Sequence, residues 1–148
     1  MRKSSAYARR RRPVDPLAGL RAIDNSRPYD PADTVDRHLQ CRASLERLQA
    51  GTASNDDFDR VAMALNVAKV RALEIDKALA NEIVESQSAM TAIRQRQEKT
   101  GSWGFTALQL RAVTRGLDAA EAIHDASSPM QMQSALSVVT QVILGARE

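Results

Sequence analysis

The feature that most constrains this chain is a stretch of 49 residues, 52–100, that contains neither glycine nor proline. Apolar and small side chains recur in it at alternating steps of three and four residues, the spacing of one helix face. A single helix over residues 55–99 would extend about 65 Å at 1.5 Å per residue. That length exceeds the diameter of a compact domain of 148 residues. The stripe comprises Phe58, Val61, Leu65, Ala68, Ala72, Ile75 and Leu79 and continues through Ile83, Ser86, Met90 and Ile93.

Two arrangements accommodate this stretch. The chain breaks between Leu73 and Asp76, with Asp76 capping a further helix, or one long helix forms a coiled coil with a partner. We favour the break, because Ala68, Ala72 and Ser86 are small or polar and weaken a coiled-coil seam. An unbroken helix would leave a stripe too long for a monomer to cover, so self-association is the open alternative.

Capping residues mark helix boundaries along the rest of the chain. With only five aromatic residues, the core must be built from aliphatic side chains and alanine, which suits helix packing. We predict an all-α fold, a compact bundle of four or five helices over residues 32–148. The boundary signals are Asp30 with Pro31, Gly51, Ser54 with Asp57, Thr106 with Gln109, and Ser128 with Pro129 and Gln131.

Residues 1–31 are predicted to form a basic, proline-containing, flexible N-terminal arm. Residues 1–12 hold six of the 21 basic residues and none of the 18 acidic ones. An apolar segment, which a secretory signal requires, does not follow. Clustered guanidinium groups favour phosphate contacts, while a solubilising tail is the competing interpretation. The candidate nucleic-acid-binding residues are Arg9, Arg10, Arg11 and Arg12.

Few residues suggest catalysis or metal binding. His38 and Cys41 lie three apart on one predicted helix, but a zinc site needs two more ligands, and the other histidine is His124. Asp118, Glu121 and Asp125 form an acidic row that is typical of a solvated helix face. We therefore predict no enzyme, no cofactor, no metal and no catalytic residue. The single cysteine is compatible with a cytoplasmic location.

Trp103 and Phe105 form the most distinctive local feature, between Gly101 and the best-capped helix. Either the two rings close one end of the core, or they are anchors for a protein partner, since tryptophan is enriched at binding hot spots. We retain Trp103 and Phe105 as candidate partner-binding residues. The basic candidates in the body are Arg94, Arg96, Lys99, Arg111 and Arg115.

Two segments, Ala62–Val67 and Gly101–Phe105, carry a resemblance that extends over residues 35–140. With them the chain resembles small uncharacterised helical proteins of proteobacterial phages, prophages and plasmids. The resemblance implies a mobile-element factor that binds and modulates a host protein or nucleoprotein complex. We therefore expect a non-enzymatic helical interaction protein without membrane attachment. The alternative is a nucleic-acid-binding regulator that uses the arginine-rich arm.

Overall fold

Each helix in the part of the chain that the structure describes begins at a polar side chain that caps its first turn. The computed structural model describes residues 29–147, so the arm, with Arg9, Arg10, Arg11 and Arg12, lies outside the described residues. Within 29–147 the chain forms five helices and no strand, which confirms the all-α prediction. They are α1 (Pro31–Ala50), α2 (Asn55–Ile75), α3 (Lys77–Thr100), α4 (Ala107–Asp125) and α5 (Pro129–Gly145).

The predicted caps are present. The Asp30 carboxylate accepts a hydrogen bond from the Ala32 N–H at 2.8 Å, and capping boxes open α2, α4 and α5 at Ser54, Thr106 and Ser128. Gly51 follows α1 with φ +78°, a left-handed conformation that glycine adopts without strain. These contacts satisfy backbone groups that a helix end leaves unpaired.

Asp76 separates α2 from α3, as predicted. Its backbone is extended at φ −156° and ψ 121°, and its N–H donates to the Ala72 carbonyl at 2.8 Å. Its carboxylate accepts from the Ala78 N–H at 2.8 Å and so caps α3. Hydrogen bonds from Gln87 to Asn66 and from Arg94 to Asn55 show that the two helices run antiparallel. The alternative of one unbroken helix is wrong.

Helix α2 lies at the centre, because α1, α3, α4 and α5 all pack against it. The apolar stripe predicted from the sequence is the part of α2 that enters the main core, where Val61 and Leu65 are fully buried. The other large buried side chains of this core are Leu45, Leu48, Ile83, Ile93, Val113, Leu117 and Ile123.

Helix α5 joins the bundle through a second, smaller apolar cluster. Val67 of α2 meets Ala135 and Val139 of α5 there, with Met63 and Leu136 packed around them. Helix α5 carries no charged side chain along its length. None of the described helices is long and apolar enough to cross a membrane.

Helices α3 and α4 approach most closely at Gly116. Ser86 donates from Oγ to the Ala112 carbonyl of α4 at 2.6 Å, and Gly116 lies one turn further along α4. A Cβ at position 116 would lie 2.5 Å from the Ser86 Cβ, closer still to its Oγ, and 3.2 Å from a Leu65 methyl. The absence of a side chain on Gly116 therefore permits this contact.

We predict that Gly116→Ala lowers the free energy of unfolding by about 1–3 kcal/mol, the usual cost of overpacking a core. This loss outweighs the gain of about 1 kcal/mol in helix propensity. Denaturant unfolding measures the change. Gly145→Ala is the matched control, because nothing lies within 4 Å of a Cβ there. Unchanged or increased stability of Gly116→Ala would show that α3 and α4 are not packed this tightly.

Candidate functional site

A cleft of about 370 Å³ opens between α1 and α5 above α2, with the end of α4 closing it. It forms because α1 and α5 both rest on α2 without packing closely against each other. Its volume lies within the range of about 300–1,000 Å³ found for ligand pockets. The apolar lining consists of Met63, Ala64, Val67 and Ala68 on α2, Leu117 and Ala120 on α4, and Met132 and Leu136 on α5.

One end of the cleft is polar and contains both histidines of the chain. His38 Nε2 lies 3.9 Å from Asp125 Oδ1, and His124 Nδ1 lies 3.8 Å from the same oxygen. The two imidazole rings meet edge to face, with their centroids 5.4 Å apart. Tyr29 stacks on His124 at 4.4 Å, and the Arg37 guanidinium lies over the Tyr29 ring.

Three imidazole nitrogens in this cluster lack a hydrogen-bond partner among the described residues, although all three are buried. They are His38 Nε2 and both ring nitrogens of His124. Burial lowers the pKa of His124, and the nearby His38 and Arg37 lower it further, against the opposing effect of Asp125. The His124 imidazole is therefore neutral at pH 7 and has a free lone pair.

The thiol of Cys41 also faces the cleft, one turn of α1 beyond His38. Burial raises the pKa of this thiol above its usual value. Because the thiolate is the reactive form, Cys41 is a weak nucleophile at neutral pH.

Ion pairs fix the α1 wall against α4. Arg42 donates from Nε to Glu121 at 2.8 Å and from a second nitrogen to Asp118. The acidic row is largely solvated, as expected, with the Asp118 and Asp125 side chains 62% and 59% exposed, and it also borders α1: Asp118 and Glu121 bind Arg42, and Asp125 lies beside the histidines. The two carboxylates raise the pKa of Arg42, so the pairing persists at every pH at which the carboxylates are ionised.

A second polar contact fixes α1 against α2. Asp57 is buried and accepts hydrogen bonds from Ser44 at 2.9 Å and from Arg47, while Arg60 lies beside them. The Arg47 guanidinium holds the pKa of the Asp57 carboxyl well below its usual range, and hydrogen bonds from Ser54 and Ser44 act in the same direction. The sequence had indicated only a capping role for Asp57.

Trp103 and Phe105, the candidate partner-binding residues, lie at the opposite end of the bundle from His38. Trp103 is only 9% exposed and stacks on Phe58 with centroids 5.2 Å apart, and Phe105 packs half-buried beside this core. Trp103 therefore closes one end of the core. Partner binding by either ring stays a prediction.

Arg94 and Arg96, two of the basic residues considered for nucleic-acid binding, contact the same end of the core as Trp103. Arg94 places its guanidinium over the Phe58 and Trp103 rings, at 5.4 and 5.8 Å from their centroids. Arg96 donates to the Gly104 carbonyl at 2.6 Å and to the Gln109 side chain. Both arginines therefore support the loop before α4.

The histidine cluster is the feature that sequence reasoning missed. Spacing suggested a pairing of His38 with Cys41, whereas the fold brings His38 to His124, 86 residues further along the chain. The antiparallel packing of α1 and α4 creates this contact, and no local pattern signals it. The acidic row beside His124 was the nearest available signal.

We predict that stability rises with pH through the histidine range, measured by urea unfolding in chelator-containing buffer. Because the pKa of folded His124 lies below the unfolded value of about 6.5, the unfolded chain binds the extra proton between the two. Stability is therefore complete above about pH 6.5 and falls as pH decreases towards the folded pKa. The groups facing His124 are His38 and Arg37 from α1 and Asp125 from α4. His124→Gln should flatten this slope; an equal slope in both proteins would contradict the assignment.

Comparison with protein-family models, with curated proteins and with solved structures found no match for this chain. The resemblance to mobile-element proteins therefore stays a prediction. The cleft and its histidine end are the features from which a function can be argued.

Proposed function

We propose that the protein is a non-enzymatic interaction protein that holds an apolar segment of a partner protein in the cleft between α1 and α5. The observation that carries the proposal is the cleft itself: among the described residues, Met63 and Ala64 on its α2 floor stay partly exposed although α1, α3, α4 and α5 all pack on that helix. Water-accessible apolar surface of this kind gains free energy when a partner covers it.

The shape of the cleft favours a short helical segment as occupant. The residues that line it span two to three turns on α2 and about one to two turns on each wall. A groove between helices is a common receptor for an amphipathic helix that inserts side chains three and four positions apart. Met63 lines the floor of the cleft and Met132 lines its α5 wall, and flexible thioether side chains adapt to an incoming surface. The cleft therefore suits one or two apolar anchors of a partner helix.

The wider role follows the resemblance noted above. A mobile-element factor of this design would modulate a host protein, or a nucleoprotein complex, by occupying one of its apolar segments. Supporting this role, the polar network of Asp57 and Arg42 holds α1 in place without a partner, so the cleft is preformed. A preformed site binds at a lower entropic cost.

We predict that a photo-crosslinking amino acid at Gln133 forms a discrete adduct with a partner protein in the native host. Gln133 is exposed and lines the cleft, whereas the neighbouring Ser134 is exposed but lies outside the lining. Ser134 is therefore the matched control and should form no adduct. Mass spectrometry of the adduct identifies the partner and separates it from a second copy of this chain.

A cleft-filling variant tests the same prediction from the other side. Ala64 lies on the floor, and Ala64→Trp should occupy part of the cavity and abolish the Gln133 adduct. Circular dichroism establishes that the variant is folded. An adduct that persists in folded Ala64→Trp, or that forms equally from Ser134, would contradict the proposal.

The second candidate is a nucleic-acid-binding regulator, favoured by the six basic residues in residues 1–12. If these residues neutralise up to six phosphates, the logarithm of affinity for double-stranded DNA should fall with log salt at a slope near −5. Deleting residues 1–12 should abolish binding, and replacing Arg9, Arg10, Arg11 and Arg12 with glutamine should remove most of it. Fluorescence anisotropy measures both. Absence of binding at low salt would eliminate this candidate.

A further inference from the structure

The imidazole rings of the chain's two histidines, His38 and His124, lie together at the polar end of the cleft. Their buried nitrogens lack hydrogen-bond partners among the described residues. Burying a polar atom without a hydrogen bond costs free energy, so most such atoms in folded proteins have a partner. The Asp125 carboxylate stands beside both rings, at 3.9 Å from His38 Nε2 and 3.8 Å from His124 Nδ1. These distances are too long for hydrogen bonds. The cluster thus presents three imidazole nitrogens without a hydrogen-bond partner among the described residues, beside an exposed carboxylate.

The geometry points to a site for one divalent transition-metal ion, with Zn²⁺ as the best match, held by His38, His124 and Asp125. One donor atom from each residue lies within 4.8 Å of the other two. Around zinc, with bonds of about 2.0–2.1 Å, tetrahedral donor atoms stand roughly 3.3 Å apart. The two N···O separations of 3.9 and 3.8 Å would contract by about half an ångström around zinc, and the widest donor separation, at most 4.8 Å, by up to about 1.5 Å. The exposed Asp125 side chain can provide the first movement, and the second requires the two imidazole side chains to rotate towards each other.

The donor set selects the class of metal. Two imidazole nitrogens and one carboxylate oxygen suit zinc and its neighbours in the first transition row. Calcium and magnesium prefer sets made of oxygen. Three protein donors leave a fourth position, which faces the cleft and is available to water or to an incoming ligand.

Charges of both signs surround the cluster, and those next to Asp125 favour a bound cation. Asp125 is the last residue of α4, and a helix C-terminus carries partial negative charge. Glu121 is occupied by Arg42. The Arg37 guanidinium, 5.1 Å from the Tyr29 centroid, is the opposing positive charge near His124. The nearest carboxylate that is not held by an arginine is therefore Asp125 itself.

Titration of the full chain with Zn²⁺ alone, in competition with a chromogenic chelator, tests the site. The expected result is one ion per chain. His38→Gln, His124→Gln and Asp125→Asn should each weaken binding by more than about tenfold, since loss of even an outer partner of a metal ligand costs that much. Asp59→Asn is the matched control: it makes the same change at an exposed position of α2 outside the cluster and should bind zinc like the unaltered chain.

Imidazole NMR provides a readout that does not depend on any variant folding. Because the chain contains only two histidines, both rings can be followed in one spectrum, and both should shift until one equivalent of Zn²⁺ is present. Unmoved imidazole signals, no binding by the unaltered chain, or equal weakening by Asp59→Asn and Asp125→Asn would each overturn the site. The result is independent of the proposed partner, because the Gln133 adduct is scored without added metal.

Discussion

Asp76 is the only residue between Asn55 and Thr100 that leaves the helical conformation, and the rest of the bundle depends on it. Its extended backbone turns α3 back along α2, while its carboxylate and its N–H satisfy the two helix ends that meet there. The apolar stripe, which would otherwise need a second chain to cover it, is thereby folded upon itself. Once α2 is paired with α3, the helices α1, α4 and α5 pack on its remaining faces and leave the floor of the cleft between them.

Local signals in the sequence predicted the helices well. Ser54, Thr106 and Ser128 were identifiable as caps, because each is followed three residues later by a side chain that completes a capping box. Such signals act within one turn, so they survive without knowledge of the tertiary fold. The stripe around Leu65 likewise predicted the core, since helical periodicity is set by the backbone alone.

The candidate site could not be predicted from the sequence in the same way. The cleft exists because α1 and α5 share α2 as a support, and the histidine cluster exists because α1 runs antiparallel to α4. Both depend on how helices are arranged, which helical periodicity does not determine. The partners of charged residues were out of reach for the same reason. Arg42, Asp57 and Arg96 each join two parts of the bundle, and no local pattern in the sequence signals these contacts.

The two walls of the cleft are held by different forces. Arg42 and Asp57 tie the α1 wall to its neighbours through charged hydrogen bonds, whereas α5, without a charged side chain, is held by Val67, Val139 and the apolar cluster around them. Salt screens the first kind of contact, and cooling weakens the second. High ionic strength therefore weakens the exposed Arg42–Asp118 pair of the α1 wall, while Leu45 and Leu48 keep that wall on the core. Low temperature weakens the apolar contacts that hold the α5 wall. The two walls of the cleft thus respond to different physical variables.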